Sequence, residues 1–152
     1  MIEKDLSQGM FQFFYNMTRL VNWDILPMMS KSEYVLLKKV NKCQKENHRL
    51  TLSQIAHELN LSSPAISRTL KNVEAKQWIV RKTDEVDRRN SFIELTELGS
   101  QEFSKANEII QNVMYNSLQK IEEEKIQAFF ETGDEILQAI RDTMTEDVNK
   151  NK

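Results

Sequence analysis

The 152-residue sequence predicts a mainly α fold with a small β wing. Three observations lead there. With only three Gly and two Pro, little interrupts long helices. Apolar residues recur at three- and four-residue spacing through both flanks, the period of an amphipathic helix. Between the flanks, residues 51–97 run helix, tight turn, second helix, strand, charged loop, strand. That order is the grammar of a winged helix-turn-helix.

Taken in chain order, residues 5–24 set Leu6, Met10, Phe13, Phe14, Met17, Leu20 and Val21 on one side of a helix, which Pro27 then breaks. Ser30 or Ser32 caps the next helix, 32–44, whose apolar positions are Tyr34, Leu36, Leu37 and Val40. Residues 49–51 are too short for more than a β-bridge, placed to pair with the wing. Thr51 and Gln54 have the spacing of a capping box and start a helix with Ile55, Ala56 and Leu59 as its stripe. Asn60 tolerates the left-handed conformation needed to leave that helix, and Leu61 can tuck back into the core.

Ser63 as cap and Pro64 at the first helical position open the second helix. Its buried face is Ile66, Leu70 and Val73, so the opposite face carries Ala65, Ser67, Arg68, Lys71 and Asn72. That face is small, polar and basic, which suits a DNA major groove. Arg can fork onto guanine, Asn onto adenine, and Ala can touch a thymine methyl. Ser62 or Ser63 can meet a phosphate at the helix N-terminus.

Two alternating strands follow, 78–83 and 91–96, with Trp78, Val80 and Lys82 on one face of the first. The loop between them, 84–90, holds two adjacent arginines, Arg88 and Arg89. Thr96 caps a long helix with Phe103, Ala106, Ile110, Val113 and Ser117 in register. After the acidic start at Glu122, Glu123 and Glu124, the positions Ile126, Phe129, Phe130, Gly133, Leu137, Ile140 and Met144 repeat the pattern. These stripes hold more apolar surface than a small winged domain can cover, so a helical dimer interface is expected. The organisation is therefore 1–30 as an N-terminal dimerisation helix, 31–98 as the winged domain, 99–146 as C-terminal dimerisation helices and 147–152 as a flexible polar tail.

The net charge of −2 argues weakly against a nucleic-acid partner, but it averages over an asymmetry. Residues 62–90 carry Arg68, Lys71, Lys76, Arg81, Lys82, Arg88 and Arg89 against four acids, whereas 121–147 is strongly acidic. The basic part can face phosphate while the acidic part faces away. Other classes find little support. No Gly-rich phosphate loop, nucleophile triad or H-E-x-x-H motif is present, so no catalysis and no cofactor are expected. His48 and His57 lack partners at ligand spacing, so no metal site is expected, and His57 belongs on a helix surface. The lone Cys43 excludes an internal disulfide; it is a structural thiol or, with Lys42 and Lys45 beside it to lower its pKa, a redox sensor. No apolar run spans a membrane and the N-terminus lacks a signal-peptide build, so a cytoplasmic location is expected.

The residues that carry a family likeness are now in view: LTLSQIAHELNLSSPAISRTL for the two helices, Trp78-Ile79 at the strand start, Asp87-Arg88-Arg89 in the wing, and Leu95-Thr96-Glu97-Leu98-Gly99 before the long helix. The sequence resembles the MarR family of bacterial transcription regulators over nearly its whole length. The resemblance implies that Arg89 enters a minor groove, that Asp87 holds the arginines and that Arg88 reaches phosphate or groove. It also implies a homodimer on a pseudo-palindromic operator, acting as a repressor. A small aromatic or phenolic effector would bind in a cleft beside the DNA-binding lobe, with Phe13, Met17, Trp23, Met28, Met29 and Tyr34 as candidate lining. One departure is Gln77, where the family usually has Gly. A non-Gly residue at positive φ costs on the order of 1 kcal/mol, so a different conformation is expected at that junction. The competing class is a helical dimeric interaction protein that has lost DNA binding, which would not need the Ser63-Pro64 start, Arg68 and the arginine pair together.

Overall fold

In the computed structural model the described residues are 4–20, 22–59, 61–83 and 91–150. Their order is α1 (Lys4–Arg19), a 3-10 turn (Trp23–Ile25), α2 (Lys31–Lys45), α3 (Leu52–Glu58), α4 (Ser63–Ala75), β1 (Ile79–Thr83), β2 (Ser91–Leu95), α5 (Glu97–Leu118) and α6 (Glu123–Lys150). The predicted mainly α architecture with a two-stranded wing is present. The chain divides into two units, Met1–Ile109 and Ile110–Lys152. Among the described residues no helix is long and apolar enough to cross a membrane.

The core of the first unit is built on α2. Ser30 caps it through a full capping box with Glu33, and Tyr34, Leu36, Leu37, Val40 and Cys43 are buried along it. This decides between Ser30 and Ser32: only Ser30 has an acid three residues on to return the bond. α2 packs on α4 and β2, and α3 packs on α4 and β2, so Ile55, Ile66, Leu70, Val73 and Ile93 close one apolar interior. The strands pair antiparallel from Ile79 opposite Leu95 to Thr83 opposite Ser91, and Thr51 bridges to Phe92 as the sequence suggests.

Three local expectations need correction. α1 stops at Arg19 rather than running to residue 24, because Asn22 accepts from the Asp24 N–H and starts a separate turn well before Pro27. Leu20 falls outside the helix, and Val21 lies outside the described residues. α4 is capped by Ser62, not Ser63; the extended Ser62 accepts from the Ala65 N–H, which leaves Pro64 in the second helical position, where its missing N–H is still not needed. On β1 it is Ile79 that turns inward while Val80 is exposed, and buried Trp78 precedes the strand.

The Gln77 junction also differs from expectation: Gln77 keeps the left-handed conformation, at φ 58°. Its N–H donates to the Glu74 carbonyl and the Trp78 N–H to the Val73 carbonyl, both at 2.9 Å. That is a Schellman cap, whose hydrogen bonds outweigh the steric cost of a side chain at this φ. Asn47 at φ 52° closes α2 in the same way, with the His48 N–H donating to the Cys43 carbonyl. At the end of α3 the Leu61 N–H donates to the Ala56 carbonyl, while Asn60 lies outside the described residues.

In the second unit, α6 runs on to Lys150, past the point where a frayed tail is expected. Val113, Met114 and Tyr115 on α5 and Phe129, Phe130, Leu137, Ile140, Met144 and Val148 on α6 are exposed. α1 in the first unit likewise exposes Leu6, Phe11, Phe13 and Met17. The single chain does not bury these apolar stripes.

Candidate nucleic-acid interface

The site begins at the turn between α3 and α4. Thr51 and Gln54 form the expected capping box at the start of α3, and Ser62 opens α4. The Ser62 hydroxyl oxygen is occupied by the Ala65 N–H at 3.4 Å, but its own O–H remains able to donate to a phosphate. Ser63 is the first residue of α4, and its side chain lies outside the described part of the structure.

Burial along α4 follows the predicted helical period. Ile66, Leu70 and Val73 are buried, Ala65 is half-buried, and Ser67, Arg68, Lys71 and Asn72 are exposed. Thr69 is also buried, a position sequence reasoning left out; its hydroxyl donates back to the Ala65 carbonyl at 3.1 Å, which lets it face the core. Among the described residues the side chains of Arg68, Lys71 and Asn72 engage no hydrogen-bond or ion-pair partner. Their donors point outward from a helix that is fixed at its start by a cap and at its end by the Schellman turn.

Among the described residues the other cations of this region, Lys76, Arg81 and Lys82, are tied down within the chain, which their count in the sequence does not reveal. Arg81 forks onto Glu74, with Nε at 2.5 Å and Nη2 at 2.8 Å from the two carboxylate oxygens, and this pairing raises its pKa. Lys82 pairs with Glu94 across the hairpin at 2.5 Å. Lys76 donates to Glu33 at 2.8 Å and to the Met28 carbonyl at 2.9 Å. Burial alone would raise the pKa of Glu33, but the hydrogen bonds from Lys76 and Ser30 outweigh it and hold the carboxyl below its ordinary value. Asp87, Arg88 and Arg89 lie outside the described residues.

The base of the wing is held by Thr96. Its hydroxyl donates to the Gln77 carbonyl at 2.7 Å and accepts from the Gly99 N–H at 2.9 Å, so it caps α5 and clasps the end of α4 at once. Gly99 then lies against the Trp78 carbonyl, with no room for a side chain.

The six candidate effector residues are dispersed. Tyr34 is buried between Trp23 and Phe103, with ring centres 5.4 Å and 5.7 Å away, and its hydroxyl donates to Asn107 at 2.9 Å. Met28 and Met29 line a cavity of about 220 Å³ together with Leu26, Pro27, Glu102, Lys105, Ala106 and Ile109. Phe13 and Met17 are on the exposed face of α1 and do not line it. A larger cavity of about 380 Å³ lies at the far end of α2, where Cys43, Gln44, His48 and Arg49 meet Ile93 and Glu94; the sequence singled out Cys43 there but no cavity around it. His57 is exposed as expected. Burial raises the Cys43 thiol pKa and outweighs the lowering by Lys39 and Lys42, which favours the structural thiol over the redox-sensor alternative.

The sequence model of the MarR family matches residues 30–91, from the cap of α2 to the start of β2. Over this segment the chain is similar to the MarR family. The MarR-type fold extends beyond it. The Staphylococcus aureus MarR in complex with salicylate and kanamycin superposes with a TM-score of 0.76 at 20% identity, covering 91% of this chain and 95% of that one. The transcriptional regulator BldR from Sulfolobus solfataricus gives 0.71 at 21%, covering 91% and 99%. A Staphylococcus aureus MepR–DNA complex gives 0.67 at 20%, covering 86% and 94%. Among curated proteins none matches the chain by sequence. At these identities the structural likeness shows a shared MarR-type winged fold.

Proposed function

We propose that this chain is a sequence-specific DNA-binding transcriptional regulator of the cytoplasm, a homodimeric repressor whose affinity for a pseudo-palindromic operator is lowered by a small aromatic or phenolic effector. The observation that carries it is the exposed face of α4. The side chains of Arg68, Lys71 and Asn72 stand there unpartnered among the described residues, on a helix braced at both ends within the segment similar to the MarR family. A side chain already ion-paired must break that pair to meet DNA; these three need not. In this reading Ala65 and Arg68, on that same face near the start of α4, meet base edges, and Ser62 meets phosphate. Arg88 and Arg89, with Asp87, extend the reading into the minor groove through the family resemblance.

The apolar stripes of α1, α5 and α6 support a homodimer, since a second copy would cover residues such as Phe11, Phe130 and Met144. Effector control is supported by the cavity lined by Met28 and Met29. To move a bound operator fully to release, an effector needs ~5 kcal/mol of preference for the released form. The test is selection from a pool of random duplexes. An enriched inverted repeat, with half-site centres about one helical turn or ~34 Å apart, is expected. Enrichment of no motif by a folded dimer would point instead to a helical interaction protein that does not read DNA.

A further inference from the structure

We propose that Lys76 is a positioning residue that couples the cavity between the Leu26–Met29 loop and α5 to the C-terminal end of α4; its regulatory meaning rests on reading α4 as the recognition helix and that cavity as the effector site. Both walls of the cavity are fastened at the corner where α4 ends. One wall is held by the Lys76 ammonium, which donates to the Met28 carbonyl at 2.9 Å and to Glu33 Oε1 at 2.8 Å. Glu33 returns to the same loop, its Oε2 accepting from the Ser30 N–H at 2.8 Å. The other wall is α5, whose Gly99 abuts the Trp78 carbonyl and whose Thr96 cap holds the Gln77 carbonyl. The Lys76 ammonium also stands 4.3 Å from the centre of the Trp78 ring.

This arrangement resists independent motion. A molecule that wedges Met28 and Met29 away from Ala106 pulls on the ammonium through the Met28 carbonyl. Even if the Met28 carbonyl lets go, the ammonium stays with Glu33, a buried carboxylate that would otherwise lose its cation, and Glu33 is itself tied to the end of the loop through the Ser30 N–H. The end of α4 therefore follows the loop, and with it the exposed positions Lys71 and Asn72 one turn earlier. Glu33 is part of the capping box of α2, so the pull is taken by a braced element rather than absorbed in a loose loop.

The cavity can be perturbed without a ligand. Ala106→Met fills it from one wall, and Met29→Ala enlarges it from the other. Each change is made with Lys76 intact, with K76M and with K76R, and hydrogen exchange is read at the Lys76, Gln77 and Trp78 amides, which donate to the Asn72, Glu74 and Val73 carbonyls. With Lys76 or with K76R, which keeps the cation, either cavity change shifts these rates about five-fold or more. With K76M the same change shifts them by less than about two-fold. A purely structural lysine would change the baseline rates but leave the response to the cavity intact. Equal responses with and without the cation, or no response when Lys76 is present, overturn the coupling. DNA affinity measured on the same proteins separates the two claims: coupled exchange without DNA binding removes the regulator reading and leaves the coupling standing.

Discussion

Gly99→Ala tests how tightly the start of α5 is locked to the end of α4. A Cβ at this position would sit 1.8 Å from the Trp78 oxygen, 2.6 Å from its carbonyl carbon and 2.9 Å from its Cα. All three are backbone atoms beside a Schellman turn, so no side chain can swing aside. To restore van der Waals contact, α5 must retreat by roughly 1.6 Å. That retreat pulls apart the Thr96 N–H bond to the Trp78 carbonyl at 3.0 Å and the Thr96 hydroxyl bond to the Gln77 carbonyl at 2.7 Å. Each bond is worth about 1 kcal/mol, and the overpacking itself costs about 1–3 kcal/mol. The expected loss is about 3–5 kcal/mol, a large fraction of a typical domain's stability. Urea unfolding followed by circular dichroism would read it as a lower midpoint at unchanged slope. A loss below about 1 kcal/mol would refute the close approach and the clasp built on it.

Gln77→Gly should stabilise the chain by about 0.5–1 kcal/mol, because relief of the left-handed strain exceeds the extra entropy of an unfolded glycine; a lower unfolding midpoint would contradict this. Glu33 has a folded pKa below the ordinary 4.5, so its contribution is fully present above that value and is lost as pH falls through the lower folded one. Lys76→Met should therefore cost about 2 kcal/mol near neutrality, with the gap to wild type closing in acid below pH 4.5; a gap that persists there would sink the pairing. Because Cys43 is buried with a raised pKa, iodoacetamide should alkylate it at least about ten-fold more slowly in the folded chain than in urea, and equal rates would reopen a redox role.

Local punctuation made much of the fold legible. Thr51 with Gln54, Thr96 ahead of Gly99, and the period of Ile66, Leu70 and Val73 each rest on short-range chemistry that the sequence states directly. Errors arose where two local solutions compete. Ser62 and Ser63 are adjacent caps, and only the backbone conformation chooses between them. At Gln77 the propensity of one residue argued for a different turn, but two hydrogen bonds and the packing of Trp78 imposed the left-handed one. Long-range pairs were invisible: nothing in the order of residues says that Lys76 meets Glu33, or that Tyr34 meets Asn107. The same blindness inflated the count of cations available to DNA, since Lys76, Arg81 and Lys82 are all ion-paired in the fold.

Whether the exposed face of α4 reads DNA is most directly tested by salt-dependent binding to the duplex upstream of the protein's own gene against random duplex, with wild type and an Arg68→Ala/Arg89→Ala variant. Wild type is expected to prefer its own site by about a thousand-fold or more, with affinity falling steeply as salt rises. In the variant, loss of Arg68 should remove about 1–3 kcal/mol of discrimination at one base step per half-site, and the salt slope should flatten. A folded wild-type protein that binds neither duplex, or a variant indistinguishable from wild type on both, would contradict the assignment.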